Sequence, residues 1–171
     1  MTITLEQLLQ SRDERRQRQQ QLLSAHPDAT LVCLTVVIPG SEKRNDISLT
    51  VARAAVEALR KTLGHTLILC EERDLITGFE AYLITTLAER DVKLLTCEIE
   101  DAHPLGRLFD IDVIGGNGLP MTRADVGRAE RGCLLCDQPA RYCMRNRTHT
   151  TEELLQFIEK IVASYIKGTR A

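Results

Sequence analysis

The sequence has little of what marks a membrane, secreted or nucleic-acid-binding protein. Its 171 residues contain no apolar run near the roughly 18 residues of a membrane span, and the start MTITLEQLLQ lacks the basic-then-apolar order of a signal peptide. The formal net charge is -2, whereas nucleic-acid-binding domains are usually strongly basic. We therefore expect a cytoplasmic protein with neither membrane nor nucleic-acid partners.

Internal repeats, low-complexity linkers and a disorder-promoting composition are also missing. Hydrophobic residues make up 43% of the chain and charged residues 27%, which supports one core and excludes collagen-like and disordered proteins. Six cysteines in a cytoplasmic chain are not expected to pair as disulfides. The composition predicts one domain over residues 1–171 that is stabilised by its core.

Lysine is scarce among the basic residues. Of the 22 basic side chains 17 are arginine, and residues 101–150 contain seven arginines and no lysine. A guanidinium group donates hydrogen bonds in a planar fork that suits phosphate and carboxylate. The bias hints at phosphate chemistry, but a high genomic GC content produces the same bias, and composition alone favours that explanation.

Hydrophobic periodicity predicts a mixed α/β (α+β) domain. The predicted helices are one that begins at Leu5 and others over 48–63, 75–90 and about 150–166. The predicted strands are 31–38, 65–72, 92–100 and 108–114. Because no helix separates the last two strands, we expect a small mixed sheet flanked by helices and not a regular alternation.

The first predicted helix has an unusually polar stretch. Residues 10–21 carry no apolar side chain, and a helix that is polar all round is usually solvated. In the functional alternative, Arg12, Arg15 and Gln19 share one face of the helix and point into a site. Periodicity alone favours the solvated helix.

Two aspartates on the fourth predicted strand carry the strongest chemical signal. Alternate strand residues share a face, so Asp110 and Asp112 project together, roughly 7 Å apart at the backbone. Like charges at that distance repel unless water or a cation screens them, and Mg²⁺ takes oxygen ligands and binds phosphates. The pattern predicts the metal-binding pair of a nucleotidyltransferase. A phosphatase with Asp110 as nucleophile and a solvated edge strand remain alternatives.

The cysteines fall into two groups. Cys33, Cys70 and Cys97 lie in apolar patterns and are expected to be core residues. The second group has the spacing C-x2-C-x6-C-x5-H in a polar, arginine-rich region, 131–149, and its members are Cys133, Cys136, Cys143 and His149. This ligand set suits a structural zinc site, although the spacing is tighter than in common zinc fingers. A metal-free knuckle and a redox-active CxxC pair are the alternatives.

Several sequence blocks together resemble the holo-citrate lyase synthase family, the apo-citrate lyase phosphoribosyl-dephospho-CoA transferases. The blocks occur in collinear order over essentially the whole chain. They are RDERRQRQ (12–19), PGSEK (39–43), HPLGRLFDIDV (103–113), TRAD (122–125), RGCLLCDQPARYC (131–143) and THT (148–150).

The resemblance implies an activity. Such an enzyme transfers the phosphoribosyl-dephospho-CoA group of triphosphoribosyl-dephospho-CoA to a serine of the citrate lyase acyl carrier protein (γ subunit) and releases pyrophosphate. The donor is a polyanionic triphosphate, which fits a site of metal and arginine. A zinc-dependent interaction module is the alternative from another functional class.

With this activity, Asp110 and Asp112 are expected to hold Mg²⁺, which bridges the triphosphate. Arg107, with the Gly106 backbone in the turn after Pro104, is expected to neutralise phosphate charge.

Other positions are candidates without assigned roles. Glu98 or Glu100 would act as a third carboxylate or as the general base, because both lie on one face of the predicted strand 92–100. His103 is either a proton acceptor or a turn residue. The further cationic candidates for substrate binding are Lys43, Arg123, Arg12 and Arg15.

Overall fold

The computed structural model describes residues 3–169, and this range contains five α-helices and four β-strands. The helices are α1 (Leu5–Ala25), α2 (Asp46–Leu63), α3 (Glu89–Ala102), α4 (Ala140–Asn146) and α5 (Thr151–Thr169). The strands are β1 (Thr30–Val36), β2 (Leu67–Leu75), β3 (Gly78–Thr85) and β4 (Phe109–Ile114). The predicted mixed α and β class is confirmed. Within residues 3–169, no helix is both long and apolar enough to cross a membrane.

The four strands form one sheet in the order β2-β3-β1-β4. Every neighbouring pair is antiparallel, whereas the sequence predicted a mixed sheet. The main core lies on the face covered by α2, α3 and α5, and a smaller core, to which Leu22 belongs, lies under α1 on the other face. Three helices therefore cover one face of the sheet, and α1 lies on the other.

Two predicted elements were wrong in type. The segment predicted as helix 75–90 contains β3, and the segment predicted as strand 92–100 lies in α3. β3 is buried on both faces, so its apolar run lacks the alternation that identifies a strand. In α3, two of the inward-facing side chains are the charged Lys93 and Glu100, and they interrupt the apolar stripe of the helix.

Those two buried charges hold β4 in place. β4 is an edge strand, so one side of its backbone lacks a neighbouring strand. Glu100 Oε1 accepts a hydrogen bond from the Ile111 amide at 3.4 Å, and Lys93 Nζ donates to the Ile111 carbonyl at 3.3 Å. Helix α3 thus satisfies the Ile111 backbone groups at the free edge of the strand that carries the two aspartates.

Candidate active site

The predicted alternation along β4 is confirmed. Asp110 and Asp112 are exposed on one face, and Phe109, Ile111 and Val113 are buried on the other. This arrangement follows from the sequence, since the apolar residues at every second position anchor the strand in the main core. The two carboxylates consequently lie together at the open side of the sheet.

The two aspartates have different surroundings. Asp110 Oδ2 accepts a hydrogen bond from Thr35 Oγ1 at 3.0 Å, so β1 orients this carboxylate. Partial desolvation and the charge of Asp110 raise the pKa of Asp112, although the charges of Lys93 and Arg15 favour its carboxylate form. An additional positive charge at the pair would relieve the repulsion between the two groups.

The polar stretch of α1 faces the sheet instead of being solvated all round. Arg15 Nε donates to Glu80 Oε1 at 2.8 Å, and the buried Glu80 also accepts from the Tyr82 hydroxyl at 2.6 Å. Burial disfavours the charge on Arg15, but the hydrogen bond and charge of Glu80 outweigh it and raise the Arg15 pKa. Arg18 bonds to Glu71 in the same way. The solvated-helix interpretation was therefore wrong for these arginines, which cover polar side chains of β2 and β3.

Lys43 and Arg12 form a second cationic group, beyond the end of β1. Lys43 follows the turn after β1, and its Nζ donates to the Ile38 carbonyl. Partial burial, together with the positive charge of Arg12, lowers the pKa of Lys43. A lysine whose charge is destabilised by burial and by a neighbouring cation is a favourable position for an anion.

Three predicted residues build the turn from α3 to β4. His103 ends α3, its Nδ1 accepts from the Leu105 amide at 3.0 Å, and partial burial lowers its pKa. Gly106 is buried, and a Cβ there would lie 2.7 Å from the Ile99 carbonyl oxygen. The Arg107 guanidinium donates to the carbonyls of Gly132 and Cys133, the latter at 2.8 Å. These contacts make the three residues part of the scaffold beside the aspartates.

The expected placement of Glu98 beside Glu100 was wrong. Residues two apart on a helix point about 200° apart, so α3 separates the two side chains. Glu98 is exposed and pairs with Arg128 at 3.2 Å, whereas Glu100 is buried and pairs with Arg123 at 2.9 Å. Among residues 3–169, no third carboxylate joins the aspartates in a group with metal-ligand spacing.

Arg123 makes contacts that differ from its predicted role. Besides Glu100, its guanidinium bonds to Asp101 at 2.8 Å and to the Ala129 carbonyl at 2.8 Å. Burial disfavours its charge, but the hydrogen bond to Asp101 and the neighbouring negative charges outweigh the burial and raise its pKa. Arg123 therefore fastens the segment after β4 to the end of α3.

Arg131 was not among the predicted site residues, yet it lies beside Asp110. Its Nη2 donates to the Phe109 carbonyl at 2.7 Å, and its Nη1 lies 4.0 Å from Asp110 Oδ1 and 3.9 Å from Glu100 Oε1. The available signal was its position at the start of the RGCLLC block, within the arginine-only region 101–150.

The structure brings together the four predicted zinc ligands. The ligand atoms of Cys133, Cys136, Cys143 and His149 lie within 4.8 Å of one another. Cys136 Sγ is 3.5 Å from Cys143 Sγ and 3.3 Å from His149 Nε2. Ligands around tetrahedral zinc are about 3.8 Å apart, given Zn–S bonds of about 2.3 Å. The cluster can therefore bind a metal ion such as zinc.

The environment of Cys133 favours a thiolate, the form that binds metals. Burial opposes ionisation, but the backbone N–H groups of Leu135 and Cys136 outweigh it and lower the Cys133 pKa to about 7. All six cysteines are free thiols.

Comparison with known proteins decides the family. The family model for apo-citrate lyase phosphoribosyl-dephospho-CoA transferase matches residues 3–165. The chain belongs to this family. This match confirms the resemblance inferred from the sequence blocks. Every candidate site residue lies inside the matched range.

Two curated relatives support the assignment. Apo-citrate lyase phosphoribosyl-dephospho-CoA transferases of Escherichia coli O139:H28 (strain E24377A / ETEC) and Shigella boydii serotype 18 (strain CDC 3083-94 / BS512) are each 38% identical to the chain over 163 residues. Each match covers 94% of this chain and 88% of the relative. Both relatives are named as transferases, so the similarity spans nearly the whole of the named enzymes.

Proposed function

We propose that this chain transfers the phosphoribosyl-dephospho-CoA group of triphosphoribosyl-dephospho-CoA to a serine hydroxyl on the citrate lyase acyl carrier protein. A phosphodiester forms and pyrophosphate leaves, which makes the reaction a nucleotidyl transfer. The observation that carries the proposal is the exposed Asp110 and Asp112 pair within a chain of this family. The free thiols support a cytoplasmic location.

The aspartate pair suits Mg²⁺ bound together with a triphosphate. Mg²⁺ usually takes one or two carboxylates from the protein and completes its shell with waters and substrate phosphates. Asp110 and Asp112, without a third carboxylate close by among the described residues, match that pattern. When bound, Mg²⁺ supplies charge stabilisation at the attacking and leaving oxygens.

The cationic residues of the same region are the proposed phosphate ligands. Lys43 and Arg12 offer two neighbouring positive charges, and Lys43 bonds to Ile38, three residues beyond Thr35, the β1 partner of Asp110. Arg15 favours the ionised form of Asp112 and holds Glu80 by its hydrogen bond. We therefore assign phosphate binding to Lys43 and Arg12, and the orientation of the acidic face to Arg15.

Other candidates act through the scaffold in this proposal. The helix-to-strand turn depends on His103, Gly106 and Arg107, and Arg123 fastens the segment that follows β4. Glu98 points away from Glu100 and pairs with Arg128, so we leave it out of the reaction. These residues fix where the aspartates lie.

Pyrophosphate release tests the proposed reaction against its alternatives. We expect release only when donor, carrier protein and Mg²⁺ are all present, because the serine hydroxyl is the attacking group. A phosphatase with Asp110 as nucleophile would consume the donor without the carrier protein. An interaction module would release nothing under any combination, and either of these results would contradict the proposal.

We also propose that Cys133, Cys136, Cys143 and His149 hold one structural zinc ion. Metal analysis of the purified protein is expected to find about one zinc per chain, the stoichiometry of a closed four-ligand site. Cys136→Ser is expected to lose the metal, because Cys136 contacts two of the other ligands. Cys70→Ser, which changes a thiol outside the cluster, serves as the control and should keep it. Fully active protein without zinc would contradict this assignment.

A further inference from the structure

The Cys/His loop, residues 131–149, is joined to the start of β4 by two arginines that reach in opposite directions. Arg107, which precedes β4, donates to the carbonyls of Gly132 and Cys133 in the loop. Arg131, in the loop, donates back to the carbonyls of Gly106, Arg107 and Phe109 at 3.2, 3.2 and 2.7 Å. The metal cluster and the aspartate strand are therefore connected by reciprocal hydrogen bonds.

The Arg131 guanidinium is used only in part by these contacts. Nη2 makes the bonds to the carbonyls, whereas Nη1 lies 4.0 Å from Asp110 and 3.9 Å from Glu100, beyond hydrogen-bond distance. Within residues 3–169, Nη1 makes no hydrogen bond, and the side chain is 24% exposed. The Nη1 group, which lies beside Asp110 without a hydrogen bond to it, can thus donate to a phosphate oxygen.

Apart from the arginine contacts, residues 131–139 are held by one short bridge and one apolar contact. The Cys133 amide donates to the Gln138 carbonyl and the Ala140 amide to the Arg131 carbonyl, around a bridge between Gly132 and Pro139, and Leu134 packs against the main core. None of these contacts involves the Arg131 side chain, so a further restraint close to it in sequence would order it more firmly. The first cluster ligand, Cys133, lies two residues after Arg131, so a metal bound there would restrain the arginine directly.

We propose that metal binding at the Cys/His cluster positions Arg131 beside Asp110, where its guanidinium binds a phosphate of the donor. The cluster then controls the transferase site, and loss of the metal releases both Arg131 and the start of β4. Arg123 does not take this role, because Glu100, Asp101 and the Ala129 carbonyl hold all three of its guanidinium nitrogens. Arg107 does not take it either, because its bonds go to carbonyls of the loop and not to the aspartate pair. The phosphate contact rests on the proposed function, whereas the coupling between metal and β4 does not.

Hydrogen exchange measured by mass spectrometry tests the coupling without any activity assay. The full chain is compared as purified, after removal of the metal with a chelator, and after zinc is added back. We expect metal removal to speed exchange at least tenfold in the loop and in residues 106–110, and zinc to restore protection. Exchange in β3 should not change, because β3 is covered on both faces. Unchanged exchange at 106–110 after complete loss of the metal would overturn the coupling.

Kinetics of Arg131 variants test the phosphate contact. Arg131→Ala is expected to lower kcat/KM for the donor about 10- to 100-fold, since it removes a charge-assisted hydrogen bond to phosphate, while KM for the carrier protein stays constant. Arg131→Lys should recover part of the loss, because it restores the charge without the fork. Arg53→Ala, an exposed arginine on α2, is the matched control and should behave as the parent protein. A donor kcat/KM for Arg131→Ala within twofold of the parent would refute the contact.

The two experiments separate this inference from the proposed function. If the parent protein transfers nothing but metal removal still loosens residues 106–110, the proposed reaction and the phosphate contact fail, and the coupling stands. If transfer with Mg²⁺ proceeds at the same rate with and without zinc in the cluster, control of the transferase site by the cluster fails and the proposed reaction stands.

Discussion

Asp110→Asn is expected to lower the rate of prosthetic-group transfer by about 100- to 1,000-fold, the cost of removing one preorganised electrostatic group from a transition state. Asparagine has the size of aspartate and can still accept the hydrogen bond from Thr35, but it has no negative charge for a divalent cation. Asp112→Asn should have a comparable effect, because the two carboxylates lie on the same exposed face of β4.

The rate is measured as incorporation of the donor into apo carrier protein at saturating Mg²⁺. Asp28→Asn, an exposed aspartate in the loop before β1, is the matched control and should retain full activity. Circular dichroism should show an unchanged fold in all three variants, since the three aspartates are exposed. Full activity in both Asp110→Asn and Asp112→Asn would remove the pair from the mechanism.

Gly106→Ala is expected to reduce the free energy of unfolding by about 3 kcal/mol or more, which is the range of severe overpacking. The added Cβ would meet the carbonyl oxygens of Ile99, at 2.7 Å, and Glu100, and both belong to the backbone of α3. Helix backbone cannot rotate away as a flexible side chain can, so the turn from α3 to β4 would have to shift.

Urea denaturation measures this loss, and Gly116→Ala supplies the control. A Cβ at Gly116 has its nearest neighbour at 3.7 Å, so the change there should stay within about 0.5 kcal/mol. Equal stability of the two variants would show that the turn is not packed as described.

Much of the fold was predictable because its signals are local. The capping box at Thr4 and Gln7 marks the start of α1, and β4 alternates along its length because one face is buried and the other is open. The type of β3 was not predictable from periodicity, because burial on both faces erases the alternation. Helix α3 was missed because Lys93 and Glu100 interrupt the apolar stripe on its inward face. These two side chains are buried because they bond to the backbone of Ile111 in β4, which does not belong to the helix.

The candidate site also has a part that was predictable from sequence and a part that was not. Spacing predicted which side chains lie together: the two aspartates share one face of β4, and the four predicted zinc ligands meet in one cluster. The arginines were harder to assign, because a guanidinium group can serve a phosphate, a carboxylate or a backbone carbonyl with the same fork. In the structure, Arg107 and Arg123 bond to acceptors of the protein, whereas Nη1 of Arg131 lies beside Asp110 without a hydrogen bond. The sequence alone does not reveal this difference.

The most direct test of the proposed transfer is the intact mass of apo carrier protein after incubation with this chain, Mg²⁺ and triphosphoribosyl-dephospho-CoA. The proposed reaction predicts that the carrier gains the mass of one phosphoribosyl-dephospho-CoA group, located on a serine, and that Asp110→Asn slows the gain. An unchanged carrier mass in the presence of folded, zinc-loaded protein would contradict the proposed transfer.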